Sequence, residues 1–423
     1  MKNILIEHNI HWLDKKYDLK YRDYDINIKN TNKITVITGL RRVWKSSIVK
    51  QIIDNIEVNK FNKFYVNFFE WRIEKYKNID WLEEIFQTYL REFYEKYWDK
   101  EEYIYLFFDE IQEVDFWYKW ILWKYETDYY KIKFIITWSN ADLLSSDIWT
   151  YLVGRHNSYN IKPLNLKEFC IWNEFSLDFN NINLEKNKFL NLCEQYFINW
   201  WLPEVVLWEK IFNNLIEDIL YRDIIKRYRI KQEKDIKNIL YYLLENFSTN
   251  YSYNSLVKSI WSSNENTIKE YISYFKKSFL LDEIEKIDYS FEKRLKSNKK
   301  TYLVDHALWF YYSLWEKLWL ILENLVYNII KKTWKVYYSW DKYEVDFVVI
   351  DSKKNLKWIY QVCYDIKNKN TFDREVNSLL YIAKKYKIKN NLFIITYSEE
   401  KELEIDDYKI SILPFWKLEL DML

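Results

Sequence analysis

The chain has 423 residues, of which 49% are hydrophobic and 30% are charged, and its formal net charge is +1. This length allows two or three domains, and the composition excludes a disordered or membrane-embedded chain. Because the overall charge is close to zero, any binding to nucleic acid must come from local basic patches. The amino-terminal segment Met-Lys-Asn-Ile-Leu-Ile-Glu-His lacks the order of a signal peptide, and no apolar run approaches the roughly 18 residues of a membrane span. We therefore expect a cytoplasmic protein that does not bind membranes.

The first part of the chain alternates strands with helices. Residues 1–32 are expected to form a helical or irregular lead-in with polar, Asn-rich positions. Buried strands are predicted at 34–38, 64–69, 103–108 and 133–137. Helices are predicted at 46–56, at 80–97 and up to about residue 125. Because the strands are apolar on both faces, they predict a parallel sheet that is covered by helices. The fold class that we expect is α/β.

Residues 33–47 have the layout of a phosphate-binding loop, which is Gly-x-x-x-x-Gly-Lys-Ser/Thr between a strand and a helix. In such a loop the backbone N–H groups and the helix N-terminus bind phosphates. Lys45 would reach the β- and γ-phosphates of ATP, and the Ser46 hydroxyl would bind Mg²⁺. The predicted ATP-binding residues are Gly39, Arg41, Arg42, Val43, Trp44, Lys45, Ser46 and Ser47.

Trp44 stands where this loop needs its second glycine, and a side chain in a left-handed turn costs roughly 1–2 kcal/mol. The whole chain has only 2 Gly but 22 Trp, whereas an average protein has roughly 7% Gly. We interpret many tryptophans, including Trp44 and Trp138, as glycines that UGA encodes and that a wrong translation table writes as Trp. Others, such as Trp117 in a helix, are expected to be genuine. The alternative is a Trp-rich protein with an inactive nucleotide site.

Polar side chains follow two of the predicted strands. Asp109 and Glu110 come directly after the third strand, and Ser139 and Asn140 follow the fourth strand. Ligands of parallel sheets bind beyond the carboxyl ends of the strands. Asp109 is therefore placed to hold Mg²⁺, Glu110 to polarise an attacking water, and Ser139 or Asn140 to sense the γ-phosphate. The alternative interpretation of the two acidic residues is an ordinary helix cap after a strand.

Together, Thr38–Ser47, Phe107–Gln112 and Ile136–Asn140 resemble the motifs of prokaryotic AAA+/STAND-type P-loop ATPases. Leu152-Val-Gly-Arg and Pro163-Leu-Asn-Leu-Lys-Glu-Phe extend this resemblance. Members of that family have glycine where this chain has Trp44 and Trp138, which supports the interpretation of these tryptophans. The resemblance implies that Arg155 is a phosphate-sensing or finger arginine, and the alternative is a structural ion-pair residue.

From about residue 235 the pattern changes to three short helices and a strand, followed by the basic stretch Lys293-Arg-Leu-Lys-Ser-Asn-Lys-Lys. This order predicts a winged helix-turn-helix, whose basic hairpin would meet DNA phosphates. Winged helices also bind proteins, so both types of partner remain open.

The last part of the chain resembles the PD-(D/E)xK nuclease-like domain of the same family. Glu323 lies on a predicted helix, Asp346 on a strand and Gln361 on the next strand. In that fold carboxylates hold a divalent cation that activates water, and a lysine stabilises the phosphate charge. Here Gln361 replaces the second strand carboxylate and Cys363 replaces the lysine, so we expect the fold but not active cleavage.

The sequence thus predicts four parts: an AAA+-like ATPase core at 1–172, a helical lid or linker at 173–234, a winged helix at 235–304 and a nuclease-like domain at 305–423. The function that we expect is a Mg²⁺-dependent ATPase acting as a nucleotide-driven switch, with ATP and Mg²⁺ as its ligands. DNA, a protein or a second copy of the chain are the further partners considered. The alternatives are a scaffold that binds nucleotide without hydrolysis, and a metal-dependent nuclease.

Overall fold

The computed structural model describes residues 2–14, 19–72, 78–94, 102–127, 131–139, 147–199, 201–207, 215–260, 264–310, 317–332, 334–351 and 353–422. The chain forms two compact units. The amino-terminal unit comprises Met1–Pro163 with Lys277–Phe279, and the carboxy-terminal unit comprises Leu164–Lys276 with Leu280–Leu423. Among the helices of these described ranges, none is long and apolar enough to cross a bilayer.

A parallel five-stranded sheet forms the centre of the amino-terminal unit, with the strand order β2-β3-β4-β1-β5. Its strands are β1 (Ile34–Gly39), β2 (Lys63–Asn67), β3 (Ile104–Asp109), β4 (Ile132–Trp138) and β5 (His156–Ile161). Its helices are α1 (Lys2–Asp14), α2 (Lys45–Asn55), α3 (Ile79–Tyr89), α4 (Trp117–Thr127) and α5 (Asp147–Leu152). This arrangement confirms the predicted α/β class. The sequence missed β5, because its residues His-Asn-Ser-Tyr-Asn-Ile are mostly polar and only half-buried, as is typical of an edge strand.

The strand order brings the predicted functional residues to one edge of the sheet. β4 lies between β3 and β1, with Phe108 opposite Ile136 and Thr38 opposite Trp138. The carboxyl ends of the three strands therefore meet. Gly39, the last residue of β1, has φ +147, and a Cβ atom there would lie 2.5 Å from the Ile161 carbonyl oxygen. Only glycine fits this close approach of two strands.

The carboxy-terminal unit begins before the predicted boundary at 172. The helix over 166–172 belongs to it because the Leu166 N–H donates to Glu419 Oε1 at 3.2 Å, and because Phe169 packs on Tyr196 with ring centroids 5.5 Å apart. The helices of this unit are α6 (Leu166–Trp172), α7 (Phe179–Leu184), α8 (Lys186–Ile198), α9 (Pro203–Leu207), α10 (Leu215–Asp218), α11 (Lys226–Tyr228), α12 (Glu233–Glu245), α13 (Tyr253–Ile260), α14 (Glu265–Lys277), α15 (Phe291–Lys296), α16 (Ala307–Phe310), α17 (Leu318–Ile330), α18 (Lys369–Tyr386) and α19 (Phe415–Met422).

A small antiparallel sheet of order β6-β8-β7 lies in the segment with the winged-helix prediction. Its strands are β6 (Asn250–Tyr251), β7 (Leu281–Glu285) and β8 (Lys299–Leu303). α12, α13 and α14 precede β7. The basic stretch 293–300, predicted as a hairpin, lies between the antiparallel strands β7 and β8. Its first four residues belong to α15, which begins after the Ser290 cap on the Lys293 N–H, and its last two residues belong to β8.

A six-stranded sheet of order β13-β14-β12-β11-β10-β9 follows. Its strands are β9 (Lys335–Trp340), β10 (Glu344–Ile350), β11 (Leu356–Val362), β12 (Leu392–Thr396), β13 (Lys401–Ile405) and β14 (Tyr408–Pro414). β9, β10 and β11 pair antiparallel, whereas β12 pairs parallel with both β11 and β14. The parallel step needs a crossover, which α18 provides. Its buried side chains, including Val376, Leu379 and Ile382, join the apolar core on this sheet.

Candidate nucleotide site

The loop between β1 and α2 carries left-handed backbone at the positions where a phosphate loop turns. Arg42 has φ 66, and Trp44 has φ 64 and ψ 40. The Trp44 carbonyl accepts the Ile48 N–H at 3.0 Å, so the helix starts directly after the loop. Lys45 is buried, and its Nζ donates to the carbonyl oxygens of Gly39 and Leu40, at 3.1 Å each. Its ammonium therefore lies against the beginning of the loop.

Arg22 was not identified from the sequence, and its guanidinium bonds to the backbone of this loop. The residue is only 3% exposed. Its Nη1 donates to the Val43 carbonyl at 2.7 Å, and its Nη2 donates to the Lys162 carbonyl at 2.7 Å. A buried guanidinium thus ties the phosphate loop to the segment after β5. A lone arginine in a polar lead-in offers no sequence signal for this role.

Asp109 is fully buried at the end of β3, and its carboxylate accepts hydrogen bonds from three hydroxyl groups. Tyr65 donates to its Oδ2 at 2.8 Å, Thr137 donates to its Oδ1, and Ser46 also bonds to the carboxylate. Burial raises the pKa of Asp109 and the neighbouring Glu110 raises it further, whereas the three hydroxyl groups lower it. The contact between Ser46 and Asp109 unites the two residues that the sequence assigns to Mg²⁺. These hard oxygen donors fit that cation.

Glu110 follows in a left-handed conformation, with φ 55. Its N–H donates to Thr137 Oγ1 at 2.8 Å, which joins the end of β3 to β4. Gln112 Nε2 donates to Glu110 Oε2 and, at 3.3 Å, to Ser139 Oγ. The predicted base and the predicted sensor are therefore linked through one amide. Gln112 Oε1 is buried and has no hydrogen-bond partner among the described residues. The sequence reasoning missed Gln112 and Tyr65.

Asn140 and Arg155 are the two remaining predicted site residues. Asn140 lies outside the described residues. Arg155 precedes β5, whose first residue His156 pairs with Ile34 at the beginning of β1. Because β1 and β5 are parallel, Arg155 lies at the opposite edge of the sheet from Gly39 and forms an exposed ion pair of 2.8 Å with Glu126. The ion pair fits the alternative of a structural ion-pair residue, and the phosphate-sensing or finger role of Arg155 stays a prediction.

The structure also assembles the nuclease-like residues in the carboxy-terminal unit. Glu323 lies on α17, Asp346 on β10 and Gln361 on β11, and all three are buried. The Asp346 N–H donates to Gln361 Oε1 at 3.3 Å. Lys300 Nζ bonds to both carboxylates. Lys300 lies far from these residues in the sequence, so no local pattern revealed it.

The phosphate loop with its buried acidic partner is the arrangement of a P-loop domain. Accordingly, residues 31–170 match a family described as an AAA domain, and residues 202–317 match a domain of unknown function.

An uncharacterised protein of Methanocaldococcus jannaschii, MJ1544, is 30% identical over 427 residues, which covers 96% of this chain and 92% of that protein. The chain belongs to the family of this protein. An uncharacterised protein of Haemophilus influenzae is 27% identical over 415 residues, covering 93% of this chain and 96% of its own. The Aeropyrum pernix ORC1 protein, solved in complex with DNA, is similar at 8% identity and a TM-score of 0.28, over 73% of this chain and 89% of that one.

Proposed function

We propose that the protein is a Mg²⁺-dependent ATPase that works as a nucleotide-driven switch. The observation that carries this proposal is the contact of the Ser46 hydroxyl with the buried Asp109 carboxylate, directly beside the phosphate loop. Two oxygen groups suited to Mg²⁺ come together from the first turn of α2 and the end of β3, and Glu110 follows directly after Asp109. This is the arrangement that phosphoryl transfer to water requires.

Each of these residues has a separate role in the proposed hydrolysis of ATP. Loop N–H groups from Gly39 to Ser47 bind the phosphates, and Lys45 exchanges its bonds with the Gly39 and Leu40 carbonyls for bonds to phosphate oxygens. Mg²⁺, when bound through Ser46 and Asp109, neutralises phosphate charge. Glu110 accepts the proton of the attacking water.

Gln112 holds the Glu110 carboxylate through Nε2 and keeps it next to Ser139. Its buried Oε1 can accept a hydrogen bond from the attacking water. We therefore assign Gln112 the positioning of both the base and the water.

We also infer that Trp44 stands for a glycine in the natural protein. Among the tryptophans that the structure describes, Trp44 alone has a positive φ. The backbone at Trp138 is ordinary strand, and its buried ring packs on Trp117 at 5.5 Å, so the backbone argument for glycine applies to position 44. Sequencing of codon 44, together with mass spectrometry of the natural peptide, tests this inference: a TGG codon and a tryptophan in the peptide would refute it.

ATP turnover is the test of the enzyme. In protein made with glycine at position 44, we expect Glu110→Gln to lower turnover by about 10²- to 10⁴-fold while ATP still binds, because the substitution removes only the base. Lys45→Ala should weaken ATP binding as well. Glu113→Gln, at the end of the short helical turn Ile111–Glu113 that follows Glu110, is the matched control and should retain turnover. Tight ATP binding without any turnover would favour the nucleotide-binding scaffold instead.

We propose in addition that α12 to β8 form a winged helix that contacts DNA. The order of three helices with the antiparallel β6-β8-β7 sheet supports this. The basic helix α15 carries Lys293, Arg294 and Lys296, although Arg294 contacts Glu285 and Lys296 contacts Glu292. DNA binding that weakens steeply with salt, and that becomes less salt-dependent in Lys293→Ala, is the expected result. Binding of DNA that is insensitive to salt and to Lys293 would refute a phosphate contact there.

A further inference from the structure

The nuclease-like carboxylates of the carboxy-terminal unit already surround a cation, the ammonium of Lys300. This side chain is 3% exposed. Its Nζ lies 2.9 Å from Glu323 Oε1, 2.8 Å from Glu344 Oε1 and 3.3 Å from Asp346 Oδ1. A lysine ammonium has three N–H donors, so each donor has a carboxylate acceptor.

Other groups of the protein bond to the same carboxylates. Tyr302 donates its hydroxyl to Glu323 Oε1 at 2.7 Å, and the Val362 N–H donates to Asp346 Oδ2 at 2.9 Å. Asn250 Nδ2 donates to Glu344 Oε1 at 3.0 Å. The cluster is therefore a hydrogen-bonded network, in which Glu323 Oε1, Glu344 Oε1 and both carboxylate oxygens of Asp346 already accept hydrogen bonds from groups of the protein.

The charges agree with an ammonium held in place. Burial lowers the pKa of Lys300, but the carboxylates of Glu323, Asp346 and Glu344 raise it by more, so the amine stays charged. One ammonium cannot neutralise three carboxylates. Accordingly, burial raises the pKa of Asp346 well above its usual range, and the nearby Glu323 carboxylate raises it further.

The donors of a metal-dependent nuclease are incomplete here. Gln361 is neutral, and its Nε2 donates to Glu375 Oε2 at 2.7 Å, away from Asp346. Cys363 takes the lysine position of the resemblance. Burial raises the pKa of its thiol to about 11, and its Sγ donates to the Asp365 carbonyl at 3.3 Å. A neutral thiol cannot stabilise phosphate charge, so the residues present do not fit a divalent metal and its catalytic lysine.

We infer that Lys300 is the resident cation of this cluster and that its ammonium excludes a divalent metal from Glu323 and Asp346. Lys300 belongs to β8 of the small sheet, whereas the acidic residues belong to α17 and β10. The Lys300 ammonium thus joins the small sheet to the six-stranded sheet and has the structural role that a bound metal ion would otherwise have. The carboxylates keep a structural role, and the cluster has no hydrolytic one.

Titration of the full chain with Mn²⁺, without nucleotide, tests this inference. The Asp109→Asn background removes the acidic ligand of the nucleotide site. Electron paramagnetic resonance of free Mn²⁺ measures how much Mn²⁺ each chain binds. We expect the Asp109→Asn chain and the Asp109→Asn, Asp346→Asn chain to bind the same amount. Binding that disappears on Asp346→Asn would overturn the inference. This comparison needs no variant of Lys300, so it holds even where such a variant fails to fold.

Removal of the Lys300 ammonium should make the carboxylates of the cluster available to a divalent metal. Lys300→Met in the same background is expected to bind Mn²⁺, to lose that binding when Glu323→Gln is added, and to show a thermal midpoint that rises with Mn²⁺. A folded Lys300→Met variant that binds no Mn²⁺ would refute Lys300 as the excluding group.

The adjacent Lys299 provides the matched control. It is equally buried on the same strand, but its Nζ donates to the Arg294 carbonyl at 2.6 Å and pairs with Glu285 at 3.4 Å. Lys299→Met should therefore bind no more Mn²⁺ than its parent. Equal Mn²⁺ binding by the Lys299 and Lys300 variants would contradict a specific role of the Lys300 ammonium.

Discussion

Each unit of the protein contains a cluster around a buried carboxylate, and in both clusters a tyrosine hydroxyl donates to that carboxylate. In the amino-terminal unit, Tyr65 donates to Asp109 at 2.8 Å. In the carboxy-terminal unit, Tyr302 donates to Glu323 at 2.7 Å. Burial raises the pKa of both acidic groups. The clusters differ in the position of their lysine.

The lysine ammonium determines whether the carboxylates remain available. Lys45 bonds to two backbone carbonyls, and Asp109 keeps the Ser46 hydroxyl as a neighbour that can itself become a metal ligand. Lys300 bonds directly to Glu323 and Asp346. We therefore interpret the first cluster as a place for an external cation and the second as a place for an internal one. Proximity of carboxylates alone does not distinguish the two.

The largest expected effect is a difference in ATP turnover between variants of Asp109 and Asp346. Asp109→Asn should lower ATP turnover by about 10²- to 10³-fold, the usual loss for one electrostatic group in the transition state. Asp346→Asn should leave the turnover of folded protein unchanged, because Asp346 contributes no ligand to the nucleotide. Steady-state kinetics on both variants, below their unfolding temperatures, provide the measurement. Equal losses would remove the proposed distinction between the clusters.

A smaller effect is expected from the two tyrosines. Tyr65→Phe and Tyr302→Phe each remove a hydrogen bond to a charged group and should lower the free energy of unfolding by about 1.5–3 kcal/mol. Urea denaturation measures this loss.

The tyrosine variants should differ in their pH profiles. The Tyr65 hydroxyl lowers the pKa of Asp109, so its removal raises that pKa and moves the acid limb of ATP turnover to higher pH. Tyr302→Phe should not move the limb. An unchanged profile in Tyr65→Phe would show that Asp109 does not control turnover.

The smallest expected effect concerns the strained loop. Trp44→Gly should relieve the left-handed backbone at position 44 and stabilise the protein by about 1–2 kcal/mol, with tighter ATP binding. Trp117→Gly is the contrasting control, since it empties a buried ring position in a helix and should destabilise. Thermal denaturation and ATP titration compare the two. A loss of ATP affinity in Trp44→Gly would show that the indole contributes to the site.

The sequence by itself determined those features whose functional residues are close neighbours in the chain. The phosphate loop is identifiable because its glycine, lysine and serine lie within nine residues, at 39, 45 and 46–47. Asp109 and Glu110 were placed correctly at the edge of the sheet because they end an apolar strand. The helix and strand positions of Glu323, Asp346 and Gln361 also followed from local pattern.

Tertiary structure alone decided which distant groups meet these residues. Arg22, Tyr65 and Lys300 act through partners that lie at least twenty residues away in the sequence. The sequence could not place Arg155 relative to Gly39, because its position depends on the direction and register of β5. Whether a buried acid binds a metal or a lysine depends on which strand packs beside it, and strand pairing between remote segments leaves no local pattern. The identity of the cation in each cluster is therefore a property of the fold.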